Sequence, residues 1–518
     1  MDVRKQIKDG FVLLDGAMGT MLQPLLRPGE RPEILSVTHP EEVEAVHRQY
    51  LEAGSDLVYT NTFGANAHKL KGAPCTVEQA VAAAVSAAKR AAGEAKMVAL
   101  DLGSLGEMLE PAGTLSFDDA YALFRQQVLQ GSRSGADCVV IETMSDLNEV
   151  RAAVLAAKEN SSLPILVSMT FEPTMRTFTG CPVSAMGVLL EGLGVDALGV
   201  NCSLGPQEIF PIARELARWT SLPLLVKPNA GLPDPATGEY PVGPEDFAKQ
   251  MESYLPLGVR LLGGCCGTTP AYLASLRGML KNKVPAPRAA QPVRALCTAT
   301  AALRLEDQPL VIGSRMDAAD PEVAEAFATG DFDTLFDLAD EQRDDGAGIL
   351  LLQDCAGAPA DPGAVRDLLN ELQGLCPVPL AFSFTRQNAL EAALRGYCGK
   401  ALVLLPAAEK AALELCRFYG ASVAVWADPE NPSACFKQMA HFGVREADRY
   451  LVLGEWFFQQ ALSAQREWVA SRAAEGIPPC ALILAAPDGT DTHAIEQARG
   501  MGVRLLLADP GQIGWSCS

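Results

Sequence analysis

One rhythm limits what this chain can fold into. Short apolar runs rich in Val, Ile and Leu alternate with longer, Ala-rich amphipathic stretches, and the alternation occurs eight times before residue 270. The runs are VLLDG (12–16), LVYTNTF (57–63), MVALDLG (97–103), CVVIET (138–143), ILVSMTF (165–171), ALGVNCS (197–203), LLVKPNAG (224–231) and RLLGGCC (260–266). Repeated strand–helix units of this kind build a parallel sheet buried on both faces. Eight of them predict a closed (β/α)8 barrel. The stretch KNKVPAPRAAQPVRA (281–295) then interrupts the pattern with three prolines, as a linker would.

The rhythm restarts with LVIGS (310–314), AGILLLQ (347–353), VPLAFSF (378–384), ALVLL (401–405), SVAVWA (422–427), YLVLG (450–454), CALILAA (480–486) and VRLLLAD (503–509). The expected fold class is α/β, two tandem (β/α)8 TIM barrels. The boundaries expected are a first barrel over 1–285, a linker over 286–300 and a second barrel over 301–518.

Charge narrows the partners. The formal net charge is −21, which argues against a nucleic-acid or anionic-membrane surface, since both need clustered Lys and Arg. No run of about 18 apolar residues exists to span a membrane, and MDVRKQIKDGFVLLDG lacks the apolar core of a signal peptide. A cytoplasmic protein is expected, and there fourteen cysteines read as thiols or metal ligands rather than disulfides. The five histidines form no HxH or HExxH pair, so a histidine-built metal site is not expected.

In such barrels the working residues stand at the C-terminal ends of the strands. Here those ends are polar: Asp15-Gly16-Ala17 after the first run, Thr60-Asn61-Thr62 after the second, Glu142-Thr143 after the fourth, Asn201-Cys202 after the sixth and Cys265-Cys266 after the eighth. Adjacent residues of a regular strand point to opposite faces. Beyond the strand, with Gly263, Gly264 and Gly267 around them, Cys265 and Cys266 could both turn toward Cys202. Three thiolates would make a zinc site with an open fourth position, the mark of a catalytic zinc. Buried core cysteines and a strained vicinal disulfide are the readings the residues alone leave open.

The stretches LLDGAMGTML (13–22), TNTFGAN (60–66), IETMSDLNEVRAA (141–153), GVNCSLGP (199–206), PLLVKPNAGLP (223–233) and GGCCGTTP (263–270) resemble the homocysteine S-methyltransferase family. Within it they are most similar to the homocysteine-binding modules of cobalamin-dependent methionine synthases. The resemblance implies one Zn2+ per chain on Cys202, Cys265 and Cys266, with the homocysteine sulfur as fourth ligand. It implies substrate contacts from Asp15, Gly16, Ala17 and Glu142, with Asp15 and Glu142 toward the ammonium. Asn61, Thr143 and Asn201 are expected behind them.

The second barrel is similar to the pterin-binding barrels of methionine synthases, but degenerate. The family's Asp and Asn after the second strand fall on Leu351 and Gln353, its Asp-Ser after the third on Ser383-Phe384, and its Asn after the fourth on Leu404. Arg315 and Asp317 survive. Leu and Phe cannot match the donor and acceptor edge of a pterin, so no folate binding is expected. DTHAIE (491–496) starts like a cobalamin motif but has Glu496 where glycine is required, and no cobalamin module is expected in the chain.

The leading expectation is an enzyme making methionine from homocysteine, with methylcobalamin as external carrier on a separate corrinoid protein. The alternatives are a folate-dependent methionine synthase subunit served by a separate cobalamin protein, and a non-catalytic homocysteine sensor or scaffold.

Overall fold

The computed structural model describes every residue except Met1, Pro28, Pro235, 289–291, 487–489, Asp491 and 514–518. It divides into two compact units, residues 1–291 and 292–518. Asp491, the first residue of DTHAIE, lies outside the described residues; Thr492 begins the helix Thr492–Gly500.

In the first unit the eight strands are β1 (Val12–Leu13), β2 (Leu57–Tyr59), β3 (Met97–Leu102), β4 (Cys138–Met144), β5 (Ile165–Met169), β6 (Ala197–Asn201), β7 (Leu224–Lys227) and β8 (Val259–Leu262). All ladders are parallel, in the order β1-β8-β7-β6-β5-β4-β3-β2. β1 is shorter than the apolar run that marks it. Between β1 and β2 one backbone bond, from the Asp56 amide to Leu13 O at 2.6 Å, is joined by side chains. Asp56 Oδ2 accepts from the Leu13 amide at 3.0 Å, and Asp15 Oδ2 accepts from the Tyr59 amide at 2.7 Å.

Strand alternation sends every second residue inward. Val12 and Leu14, Leu57 and Tyr59, Met97 and Ala99, Cys138 and Val140, Leu166, Ala197, Leu225 and Leu261 form one buried cluster, joined by Val3 and Ile7 of the helix Val3–Asp9. The bottom and middle of the barrel are therefore packed. The Ala-rich runs become the outer helices. Val77–Ala92 starts at a capping box of Thr76 and Gln79 and buries Ala80, Ala84, Ala87 and Ala88, small side chains that let a helix lie close to the sheet.

The second unit opens with an antiparallel hairpin, β9 (Ala295–Cys297) and β10 (Ala302–Arg304). A closed parallel barrel follows. Its strands are β11 (Leu310–Asp317), β12 (Ala347–Gln353), β13 (Leu380–Ser383), β14 (Leu402–Leu405), β15 (Ser422–Trp426), β16 (Arg449–Leu453), β17 (Leu482–Ala485) and β18 (Leu505–Ala508). The hairpin was not anticipated, and β9 falls inside the segment assigned to a linker. It sits at the N-terminal strand ends. Cys297 and Lys400 exchange backbone hydrogen bonds of 3.3 and 3.0 Å, and the buried Lys400 pairs with Asp448. No described helix is long and apolar enough to cross a membrane.

Candidate metal and substrate site

Two loops at the C-terminal end of the first barrel, after β6 and after β8, bring three thiols together. Cys202, Cys265 and Cys266 each offer a sulfur, all within 4.8 Å of one another, and this is the one such group of metal-capable side chains among the described residues. Cys202 Sγ and Cys266 Sγ are 3.8 Å apart. Cys202 reaches this position with a left-handed backbone, φ 60°, and Ser203 follows at φ 57°. Such a backbone is uncommon away from glycine and clusters at functional sites.

The end of β7 holds all three cysteines in place. The Cys202 amide donates to Lys227 O at 3.0 Å, the Cys265 amide to Pro228 O at 2.8 Å, and the Cys266 amide to Asn229 Oδ1 at 3.0 Å. Asn201 and Thr143 clasp each other: Asn201 Nδ2 donates to Thr143 Oγ1 at 2.6 Å, and the Thr143 amide to Asn201 Oδ1 at 3.0 Å. The same Asn201 nitrogen lies 4.0 Å from Cys265 Sγ. Asn61 turns the other way and donates to Pro32 O at 2.6 Å and Ser36 Oγ at 3.0 Å.

The thiols polarise one another. Thiol hydrogen bonds from Cys202 and Cys265 hold Cys266 down to about 3. Cys265 is pushed well up by the same bonds and by burial. For Cys202 the bond to Cys265 is lowering, but the one to Cys266 and burial outweigh it and raise the thiol to about 11. Tyr240 lies beside Cys266, and burial followed by the sulfur's charge lifts its hydroxyl to about 12. A set of soft sulfur donors that readily yields thiolates fits a soft, tetrahedral cation.

Inside the barrel, two residues beyond the apolar layer, the inward positions turn polar: Asp101 after Ala99, Glu142 after Val140, Ser168 after Leu166 and Lys227 after Leu225. All four are buried. The Lys227 ammonium stands 3.2 Å from Asp15 Oδ1, 3.5 Å from Glu142 Oε2 and 3.6 Å from the centre of the Tyr59 ring, where a cation–π contact adds to the ion pairs. Gly263, the inward residue after Leu261, makes room for it. A Cβ there would stand 2.8 Å from Leu14 Cβ and 3.0 Å from Lys227 Cγ.

Burial alone would lower Lys227, yet Glu142 and Asp15 hold it well above the ordinary lysine range. Burial raises Asp15 and Glu142, with Lys227 opposing it in both. Gly16 packs against Tyr50 and Thr268, each 2.8 Å from where a Cβ would stand. The Ala17 amide donates to Thr268 O at 3.4 Å, and the short helix Met18–Leu22 begins there.

Of the residues singled out in the sequence, the structure gathers Asp15, Glu142, Thr143, Asn201 and the three cysteines at one barrel mouth, and places Gly16 and Ala17 on its rim beside Thr268. Asn61 supports the helix Pro32–Thr38 instead. Sequence reasoning missed Lys227, Asp101, Ser168, Tyr59 and Asn229. The signal was a polar residue continuing an inward apolar alternation, ALD at 99–101 and LVK at 225–227.

Residues 12–280 match the family model described as Homocysteine S-methyltransferase. The chain is 32% identical over 425 residues to methionine synthase of Mycobacterium tuberculosis (strain ATCC 25618 / H37Rv), covering 75% of this chain and 35% of that protein. It is 30% identical over 434 residues to methionine synthase of Mycobacterium leprae (strain TN), covering 78% and 36%. The chain thus spans about a third of the length of these curated relatives.

Among solved structures it is similar to the homocysteine methyltransferase MmuM from Escherichia coli in its metallated form, with 25% identity, TM-score 0.46, and 52% of this chain and 96% of that one covered. It is also similar to dihydropteroate synthase from Stenotrophomonas maltophilia, with 15% identity, TM-score 0.31, and 42% and 93% covered. The family match spans just over half of the 518 residues, and the chain belongs to the homocysteine S-methyltransferase family.

Proposed function

We propose that this protein is a zinc-dependent methyltransferase that moves a methyl group onto the thiol of homocysteine, giving methionine. One observation carries the reading: three cysteine sulfurs converge within 4.8 Å at the mouth of a barrel whose inner layer is acidic. Cys202, Cys265 and Cys266 would hold the zinc, whose charge stabilises a thiolate over a thiol at neutral pH and so supplies a nucleophile. Around it the chain's own residues do the rest. The β7 end fixes the cysteine backbones, Asn201 and Thr143 orient the approach to Cys265, and Glu142 faces the substrate's ammonium. Asp15 supports that charge through Lys227, and Gly16 and Ala17 line the carboxylate side.

The methyl donor comes from outside the chain, carried as methylcobalamin on a corrinoid protein. The substrate sulfur forms its bond to carbon as the cobalt–carbon bond breaks, and the electron pair stays with the corrinoid. The second barrel does not bind folate in this reading. Its strand-end polar groups are engaged by their own surroundings: Asp354 accepts from the Thr385 and Ala360 amides at 2.6 and 2.9 Å, and Asp317 accepts from Gln353 at 2.6 Å and the Ala319 amide at 2.9 Å.

A second reading, a folate-dependent subunit served by a separate cobalamin protein, is favoured by one fact. The 425-residue similarity to methionine synthase is longer than the 291-residue first unit. Methyl transfer to homocysteine on the zinc-loaded chain decides between the readings. Methionine from methylcobalamin, and none from methyltetrahydrofolate with cob(I)alamin, is the expected result. Turnover with the folate donor would restore folate binding, and no methionine from either would leave another methyl donor, or a homocysteine-binding sensor or scaffold.

A further inference from the structure

The inner layer of the first barrel holds more acceptors than the chain itself uses. Asp101 is 5% exposed and Glu142 is 8% exposed. Asp101 Oδ1, Ser168 Oγ and Tyr59 Oη are buried without a hydrogen-bond partner, and Glu142 Oε2 has only the Lys227 ammonium, 3.5 Å away. Buried polar atoms are nearly always paired, and an unpaired one signals a missing ligand or water. Asp15 is different. Lys227 takes its Oδ1 and the Tyr59 amide its Oδ2, so this carboxylate is occupied closing the β1–β2 seam and holding the lysine. Three carboxyls face one lysine, which leaves the layer short of positive charge.

We propose that Asp101 is a specificity-determining residue of the reaction put forward above, forming with Glu142 the pair of carboxyls that receives the α-ammonium of the thiol substrate. An ammonium brings three N–H donors and one positive charge. The layer offers it Glu142, Asp101 and a hydroxyl of Ser168 or Tyr59. Burial and the charge of Glu142 hold Asp101 well above the usual carboxylate range, a state that a cation between the two carboxyls relieves. The layer is also connected to the thiols. Glu142 precedes Thr143, Thr143 is clasped by Asn201, and Asn201 reaches Cys265 Sγ at 4.0 Å. A short chain with a thiol at one end and an ammonium at the other would bridge that distance.

The test is calorimetric titration of the zinc-loaded full chain with L-homocysteine and with 4-mercaptobutanoate, which keeps thiol and carboxylate but lacks the ammonium. Wild type should prefer homocysteine. Asp101→Asn and Asp101→Ala should weaken homocysteine by about 10- to 100-fold, the loss of one charge-assisted contact. They should leave 4-mercaptobutanoate affinity and zinc stoichiometry unchanged. Equal weakening of both thiols, or no change in either, overturns the assignment of Asp101. Wild type binding both thiols equally overturns it too, while leaving the thiol acceptor reading intact. Wild type binding neither thiol removes the proposed function and this inference together.

Discussion

Replacing Lys227 by Met removes the one cation of a buried acidic layer. Its ammonium lies 3.2 Å from Asp15 and 3.5 Å from Glu142. At an effective dielectric of about 20, each attraction is worth about 5 kcal/mol. The cost of burying the lysine itself offsets part of this, and breaking such a pair from one side costs about 3–5 kcal/mol.

The loss depends on pH. Burial already raises Asp15 and Glu142 above 3.8 and 4.5, and without Lys227 both rise further. The folded state then holds protons that the unfolded chain has released, so stability falls as pH rises from the ordinary carboxyl range toward the raised values. The deficit of Lys227→Met should be small near pH 5 and larger at pH 8. At about 2–4 °C per kcal/mol for a unit this large, the first unfolding transition at pH 8 should drop by on the order of 10 °C. Calorimetric scans of both proteins at pH 5 and 8 measure this. Equal stability at pH 8, or the same deficit at both pH values, would refute the reasoning.

Four shorter predictions accompany it. His47 is fully buried and pushed to about 4 by burial; the folded chain binds fewer protons than the unfolded chain below 6.5, so stability should fall as pH drops from 6.5 toward 4, by 2.5 × 1.36, about 3 kcal/mol, and urea titrations of His47→Leu should lose that slope. Asp56→Ala leaves the Leu13 amide without its side-chain acceptor at the β1–β2 seam and should cost about 1–3 kcal/mol in the same assay. Lys400→Met takes the buried ammonium from Asp448 in the second unit and leaves it Arg445 and Ser422; it should destabilise that unit by about 1–3 kcal/mol with zinc stoichiometry unchanged. Cys265→Ser should abolish stoichiometric zinc binding, measured by metal analysis after dialysis; a full complement of zinc would contradict its assignment as a ligand.

Much of this architecture is legible in the chain because each strand is an apolar run with its own stop. All sixteen runs correspond to barrel strands. The thiol site was legible because Cys202 and the Cys265-Cys266 pair follow such runs directly. The hairpin β9–β10 escaped notice because three-residue strands carry no measurable alternation. The double duty of Asp15 escaped because a seam closed partly by side chains leaves no pattern in sequence. Asp101 and Lys227 lay in plain view within quoted strands, but a charged residue at an inward position is recognised only once the register shows which face is inside. Asn61 resembles its neighbours at other strand ends, and only the fold turns its amide to the helix Pro32–Thr38.

The most direct test of the central claim is zinc K-edge X-ray absorption on the metal-loaded chain, before and after adding homocysteine. Three sulfurs at about 2.3 Å and one lighter atom, becoming four sulfurs with homocysteine, is the predicted result. A zinc shell dominated by nitrogen and oxygen, or a sulfur count that homocysteine leaves unchanged, would contradict it.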